Sequence, residues 1–408
     1  MMRNPIGRIV HQQRLFQMNQ IIFWLSAAAF IIVAIMRVTD PILPVIASEF
    51  DLTVGRASIV VTAFSLPYAI VQLWCGPLGD RLGKLKIIVA ALGTSSIFTL
   101  LCGLATNIEM LAALRFMAGV TTAAVVPLSM AFIADHFAYE VRQPVIARYL
   151  SGLIMGQIAG GSLGGIMAEL FGWRVIFLVF GVTVAGMCYL LWRYSHHHKE
   201  IVHRAPLYGR AVFTPYLALL RKPRPRHVIL AACIEGFFFF GAGAFLGAFL
   251  HDIFDLSYAK VGLLLASFGI GSLIYSRTAA WFIHILGERR MVIAGSVTMS
   301  CCYVGFAFAS SWMIALPLLV TCGFGFYLLH NTLQTLATEL APDARGTAVS
   351  LFAFCLILGQ AAGVAFIGFV IDQFGYRTAF ILVAAAVICL GTWFQSKLKI
   401  NPNAIATP

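Results

Sequence analysis

Glu235 is the one carboxylate set unambiguously inside an apolar run, followed by GFFFFGAG, with no basic residue within a turn or two. A carboxylate in hydrocarbon is a functional candidate by default, either to hold a proton or to contact a substrate. Arg37 and Asp40, in MRVTDPILP, stand three residues apart and share a helix face. Burial favours the neutral acid while the adjacent guanidinium favours the carboxylate. That opposition is what a proton switch requires; a fixed pair that positions the helix is the alternative. His330 and Asn331, with Gln334 one turn on, form a further polar spot. Such a histidine either titrates near neutral pH or packs as a hydrogen-bonded core residue. Arg115 lies within another apolar run, a placement costing about 2.5–3.5 kcal/mol on insertion scales and met by a cavity, a partner or an interface.

These groups need a lipid-embedded scaffold. Of the 408 residues, 60% are hydrophobic and 11% charged, and mean hydropathy is +0.90, whereas soluble domains carry about 25% charged residues. That excludes a cytosolic enzyme, a secreted domain and a disordered chain. The net charge of +12 does not form a nucleic-acid-binding face, because the basic residues lie in short clusters between apolar runs. The nine cysteines contain no CxxC pair and read as small packing residues. No cleavable leader is expected, because the first apolar run continues into a full span.

A crossing helix takes about 20 residues. Twelve such stretches are expected, at 20–46, 54–75, 84–105, 108–136, 145–168, 173–194, 227–250, 258–283, 290–309, 312–337, 347–371 and 376–395. They are continuously apolar rather than alternating, which excludes a β-barrel. With both termini placed inside, the inner segments hold 21 Lys and Arg, the outer loops four and the spans three. That bias predicts cytoplasmic termini.

The chain also repeats itself. LIMGQIAGGSLGGIMAELFGWRVIF (153–177) aligns without gaps on LILGQAAGVAFIGFVIDQFGYRTAF (356–380), an offset of 203, with Gly156/Gly359, Gln157/Gln360, Gly160/Gly363 and Arg174/Arg377 among the identities. A fainter echo sets Gly287-Glu-Arg-Arg290 over Gly83-Lys-Leu-Lys86. The prediction is an all-α membrane protein with two pseudo-symmetric six-helix bundles, 1–194 and 227–408, related by an axis along the membrane normal. The linker 195–226 is expected to hold an amphipathic interfacial helix built on Leu207, Val212, Phe213, Tyr216, Leu217 and Leu220. Gln157 and Gln360 would place two polar groups symmetrically, lining a cavity or merely sitting in tight packing, and Phe237–Phe240 line a greasy cavity or face lipid.

The segment GPLGDRLGKLK (76–86) allows a sharp turn between two close helices. It resembles the signature loop of the major facilitator superfamily, roughly G-x-L-a-D-r-x-G-r-k, with Gly76, Leu78, Asp80, Arg81, Gly83, Lys84 and Lys86 matching. In that family the loop latches the two halves on the inner side and breaks during transport. The second copy is degenerate, with His284 in the place of Asp80. Arg115 and Gly119 resemble the family's R-x-x-q-G pattern, whose arginine is tied to proton coupling, although Ala118 replaces the glutamine. Gly152, Gly156, Gly160 and Gly161 are similar to the glycine-rich antiporter motif of the family's exporters, with Gln157 where that motif has proline. Thr39, Asp40, Leu43 and Pro44 resemble the T-D-x-Y-L-P segment of bacterial multidrug and chloramphenicol exporters, with Ile42 for tyrosine.

The resemblance implies a transporter of a bacterial-type inner membrane that exports a small, partly apolar organic compound against protons. Asp40, Arg115 and Glu235 are the expected coupling groups. Arg37, Gln157, Gln360, His330 and Asn331 are the expected substrate contacts, and Gly76, Asp80, Arg81, Gly83 and Lys84 the latch. A metabolite importer or facilitator, or a metal or siderophore exporter, would share the fold. The expected partners are the substrate, protons and the bilayer, with no nucleic acid, and the chain is expected to be a monomer. No catalytic constellation, cofactor motif or metal-ligand spacing is present. His196, His197, His198 and His203 read as a solvated basic linker.

Overall fold

The computed structural model describes residues 5–137, 139–197, 210–341 and 345–398. Among the described residues, ten helices are long and apolar enough to cross a bilayer: Gln20–Arg37, Val54–Leu82, Lys84–Cys102, Ile108–His136, Pro144–Phe171, Trp173–His196, Pro223–Phe254, Tyr258–Ala307, Trp312–Glu339 and Thr347–Lys397. Two of them, of 50 and 51 residues, are twice the length a crossing needs. They break at Gly287 (φ 65°) and Gly375 (φ 80°), left-handed conformations that side-chain-bearing residues avoid. Twelve spans result, numbered in order, with 258–286 and 288–307 as spans 8 and 9 and 347–374 and 376–397 as spans 11 and 12. They form two six-helix bundles, and no strand occurs among the described residues.

Gly83 (φ 96°) and Gly172 (φ 83°) make the same tight turns in the first bundle, at the positions that the two repeats align with Gly287 and Gly375. The packing repeats as well. Gly152, Gly156, Gly160 and Gly164 lie one turn apart and press span 5 onto the backbone of span 1 at Ser26, Phe30, Ala34 and Val38. Gly359 and Gly363 press span 11 onto span 7 at Cys233 and Phe237, each 203 residues beyond its counterpart. A Cβ at any of these glycines would overlap a main-chain oxygen. Small residues are how helices associate closely where lipid removes any hydrophobic drive.

The repeated turn has a chemical cause too. Trp173 Nε1 donates to Glu49 at 2.5 Å and the Tyr376 hydroxyl donates to Asp252 at 2.6 Å, so each aromatic ties the head of an even-numbered span to an acid 124 residues earlier. Arg174 adds an ion pair to Glu49 and donates to the Ala105 carbonyl.

The expected first span, 20–46, is not one helix. It ends at Arg37, turns through 38–42 and resumes at Leu43–Glu49, because Pro41 cannot donate and its ring clashes with the preceding turn. Span 7 breaks at the equivalent place. A π-helical turn, Gly236–Phe240, precedes a second turn at 244–245. The two breaks meet, with Gly247 packed on the main chain of Asp40 and Pro41.

In the linker, a helix spans Arg210–Arg221. Tyr216 donates to the Leu73 carbonyl at 3.4 Å and Leu219 is buried, while Leu217, placed on the same apolar side by the sequence pattern, is exposed. Leu207, His198 and His203 lie outside the described residues.

The bundles touch towards the arginine-poor end. Gly161 and Gly165 of span 5 meet Gly262 and Tyr258 of span 8, and Gly55 of span 2 meets Gly368 of span 11. Thr62 donates to the Ala361 carbonyl at 3.2 Å. At the arginine-rich end the ion pairs of Lys84 and Arg224 stay within one bundle.

Candidate functional site

Where the broken spans cross, a cavity of about 90 Å³ opens between the bundles. Arg37, Asp40, Gln157 and Gly161 form its first-bundle wall; Phe239, Phe240, Phe268 and Tyr303 dominate the second. The wall chemistry follows from the break in span 1. The turn 38–42 lets Asp40 lie beside Arg37 with Nη1 3.7 Å from Oδ2, and the guanidinium rests 4.7 Å over the Phe240 ring of the other bundle. Asp40 is buried, yet its Oδ1 has no hydrogen-bond partner. A buried acceptor left unpaired costs about 1–3 kcal/mol, so the cavity retains a ready acceptor for a donor group. Opposite, the Tyr303 hydroxyl donates at 3.1 Å to the Phe239 carbonyl, inside the π-helical turn. Such turns recur at functional sites. A larger hollow of about 460 Å³, bounded by Phe23, Phe30, Arg148 and Met155, is lined by spans 1 and 5 only and does not lie between the bundles.

Glu235 is not isolated. His330 Nδ1 lies 3.0 Å from its Oε2, joining spans 7 and 10, and the imidazole stacks on Phe326 at 4.7 Å. The Glu235 side chain is wholly buried, and its Oε1 has no partner. The two residues are 95 apart in sequence, so no local pattern could show the pair. Asn331 turns away to donate to the Tyr275 hydroxyl at 2.9 Å.

Arg115 lies in the first bundle, away from the cavity lining. Its Nε donates to Val60 O and its Nη1 to Ile35 O, both at 3.2 Å, and its guanidinium lies 4.2 Å over Phe64. Ile35 is two residues from the end of its helix, where carbonyls lack an intrahelical donor. Arg115 therefore caps a carbonyl exposed by the break that also creates the Asp40 turn. The structure does not bring Arg115 and Glu235 together.

The paired glutamines differ. Gln157 lines the cavity, whereas Gln360 is buried behind span 7 with its Nε2 unpartnered. In the loop, Lys84 Nζ bridges Asp80 and Asp135 at 2.7 Å each, Gly83 supplies the turn, and Gly76 and Arg81 are exposed. Asp80 is thus held by its own bundle. His196 is exposed with Trp192 edge-on to it, and His197 ends its helix. Phe268 and Tyr303 carried no polar or positional signal and were invisible to sequence reasoning; only proximity in the fold makes them lining residues.

Comparison with known proteins agrees with the geometry. The family Major Facilitator Superfamily matches residues 25–363 and again 228–404. The uncharacterized transporter YceJ of Bacillus subtilis (strain 168) is 26% identical over 370 residues, covering 89% of this chain and 93% of that protein. The inner membrane transport protein YnfM of Escherichia coli (strain K12) is 24% identical over 393 residues, covering 94% and 92%. Among solved structures, a bacterial homologue of the human lysosomal transporter Spinster, inward-facing and unoccupied, has a TM-score of 0.76 at 17% identity, over 93% of this chain and 96% of that one. A point mutant of the nucleoside transporter NupG has a TM-score of 0.73 at 14% identity, over 93% and 100%. Those two structures share the fold. This chain is a multi-pass membrane transporter and belongs to the major facilitator superfamily.

Proposed function

We propose that the chain exports a small, partly apolar organic compound in exchange for protons, by alternating access. The observation that carries this reading is the cavity between the bundles, with Asp40 offering a free acceptor on one wall and phenylalanines forming the other. The aromatic wall suits an apolar body. Asp40, held loosely by Arg37, suits a donor group or a proton, and a single carboxylate that takes one or the other is the minimal exchanger. Gln157 is the further substrate contact. Glu235 with His330 forms a second, deeper site for a proton. Arg115 transmits the position of the Asp40 turn to spans 2 and 4 through the carbonyls it holds.

The lysine and arginine bias supports cytoplasmic termini; in that orientation the contacting end of the bundles faces outside and the Asp80–Lys84 loop inside. The conformation is then closed to the outside, with the inner latch released because Asp80 and Asp135 share Lys84 within one bundle. In a bacterial inner membrane, one proton moving down about 100 mV supplies about 2.3 kcal/mol, enough for a roughly fifty-fold gradient. The protein works as a monomer, without cofactor.

Purified protein is first screened against organic compounds by thermal shift, and the best stabiliser is then followed in proteoliposomes. Asp40→Asn is expected to abolish uptake driven by a pH gradient while keeping counterflow exchange. Gradient-driven transport that survives in both Asp40→Asn and Glu235→Gln overturns the coupling proposal.

A further inference from the structure

Two carboxylates outside the cavity make one and the same contact. Glu169, at the end of span 5, accepts a hydrogen bond from the Ala259 amide in the first turn of span 8 at 2.7 Å. Asp372, at the end of span 11, accepts from the Gly55 amide in the first turn of span 2 at 3.0 Å and from the Thr53 hydroxyl at 2.6 Å. The acids stand 203 residues apart and the amides 204, matching the repeat. One contact reaches from the first bundle to the second and the other reaches back.

The geometry around each is also shared. Four residues before each acid stands a glycine, Gly165 or Gly368. A Cβ on Gly165 would strike the Tyr258 carbonyl, and one on Gly368 would crowd the backbone of Gly55. The glycine brings the end of one helix against the start of another, and the acid one turn later then lies over that helix's free amides. Those first amides have no intrahelical acceptor, and the positive end of the helix dipole favours a carboxylate there. In span 8 the Ser257 side chain makes no capping bond, so the cap comes from the opposite bundle. The two caps sit on the two seams, spans 5–8 and 2–11, along which the bundles meet.

We propose that Glu169 and Asp372 are a two-fold-related pair of gate residues, which hold the arginine-poor end shut by capping helices of the opposite bundle and which open together. The proposal rests on the alternating-access reading. Because each bundle moves as a body, both caps belong to one equilibrium, and losing either shifts it at both seams.

Hydrogen–deuterium exchange on the full-length purified protein, without substrate, tests this. Losing one cap is expected to speed exchange about five-fold, and Glu169→Ala, which removes the acceptor, should do so in both segments 50–58 and 255–262. Asp372→Ala should do the same, and the double variant should reach about twenty-five-fold because distant caps add. Asp372→Glu, which keeps the charge, should stay close to the parent in both segments. Faster exchange confined to the segment whose own acid was changed, or no change in either, overturns the proposal. The loop 80–86 reads the other hypothesis separately. It should exchange more slowly as the far end loosens; no change there, with both seams loosened, refutes alternating access and leaves the paired caps standing.

Discussion

Replacing His330 by leucine is the perturbation whose cost the geometry sets most sharply. Nδ1 lies 3.0 Å from Glu235 Oε2; the Glu235 side chain has no exposed surface, whereas His330 keeps 13%. Among the described residues Glu235 Oε1 has no hydrogen-bond partner, and the imidazole is the carboxyl group's one hydrogen bond. His330→Leu leaves a buried acid uncompensated, at about 3–5 kcal/mol if it carries charge. Glu235→Leu leaves only a partly exposed imidazole N–H, at about 1–3 kcal/mol. Glu235→Gln keeps an acceptor at the same place and should cost under about 1 kcal/mol. The double leucine variant removes both partners and should recover most of the loss, since apolar replacement of a buried pair is often near neutral. Unfolding of the detergent-solubilised protein, run as a double-mutant cycle, reads all four. A double variant whose loss equals the sum of the single losses, or a Glu235→Leu loss exceeding that of His330→Leu, would refute the claim that Glu235 and His330 are energetically coupled inside the second bundle.

Arg115→Lys keeps the charge but cannot reach the Ile35 and Val60 carbonyls together. It should cost about 1–3 kcal/mol in the same unfolding measurement, and an unchanged midpoint would argue against the capping role. Gly363→Ala sets a Cβ on the Phe237 carbonyl and should cost about 1–3 kcal/mol. Gly186→Ala, with nothing within 4 Å, serves as the tolerated control, and equal effects at the two sites would sink the argument.

How much was legible depended on range. The twelve spans and the repeat are written in local composition and in a run of 25 residues that recurs, so they could be read directly. Gly83, Gly172, Gly287 and Gly375 announced the tight turns because no other residue adopts that backbone cheaply. Asp40 and Arg37 could be paired because they stand three residues apart, although a turn after Arg37, not the expected helix face, brings them together. The Glu235–His330 bond could not, because it joins helices whose packing no single sequence encodes. Arg115 illustrates a different limit. Its burial was foreseeable from the span, but the carbonyl it caps exists only because Pro41 interrupts a neighbouring helix. Glu169 and Asp372 stood in the aligned repeat all along; their shared acidity acquired meaning once each was seen over the other bundle's amides.

The repeat also explains why the cavity is not symmetric. Position 240 is the counterpart of position 37 at an offset of 203, and the guanidinium of Arg37 lies over the ring of Phe240. At a two-fold axis a position meets its own equivalent, whereas away from it residue i meets j and j meets i. Had both copies kept arginine, two guanidinium groups would face each other in a cavity of low dielectric, where like charges repel strongly. An arginine over an aromatic face converts that repulsion into attraction, worth about 2 kcal/mol when desolvated. The same holds one turn on, where Asp40 is matched by Gly243 and both line the cavity. Within the cavity, therefore, the facing charge is confined to one bundle. The polar wall belongs to the first bundle and the greasy wall to the second, so the surface facing Asp40 offers it no competing charge.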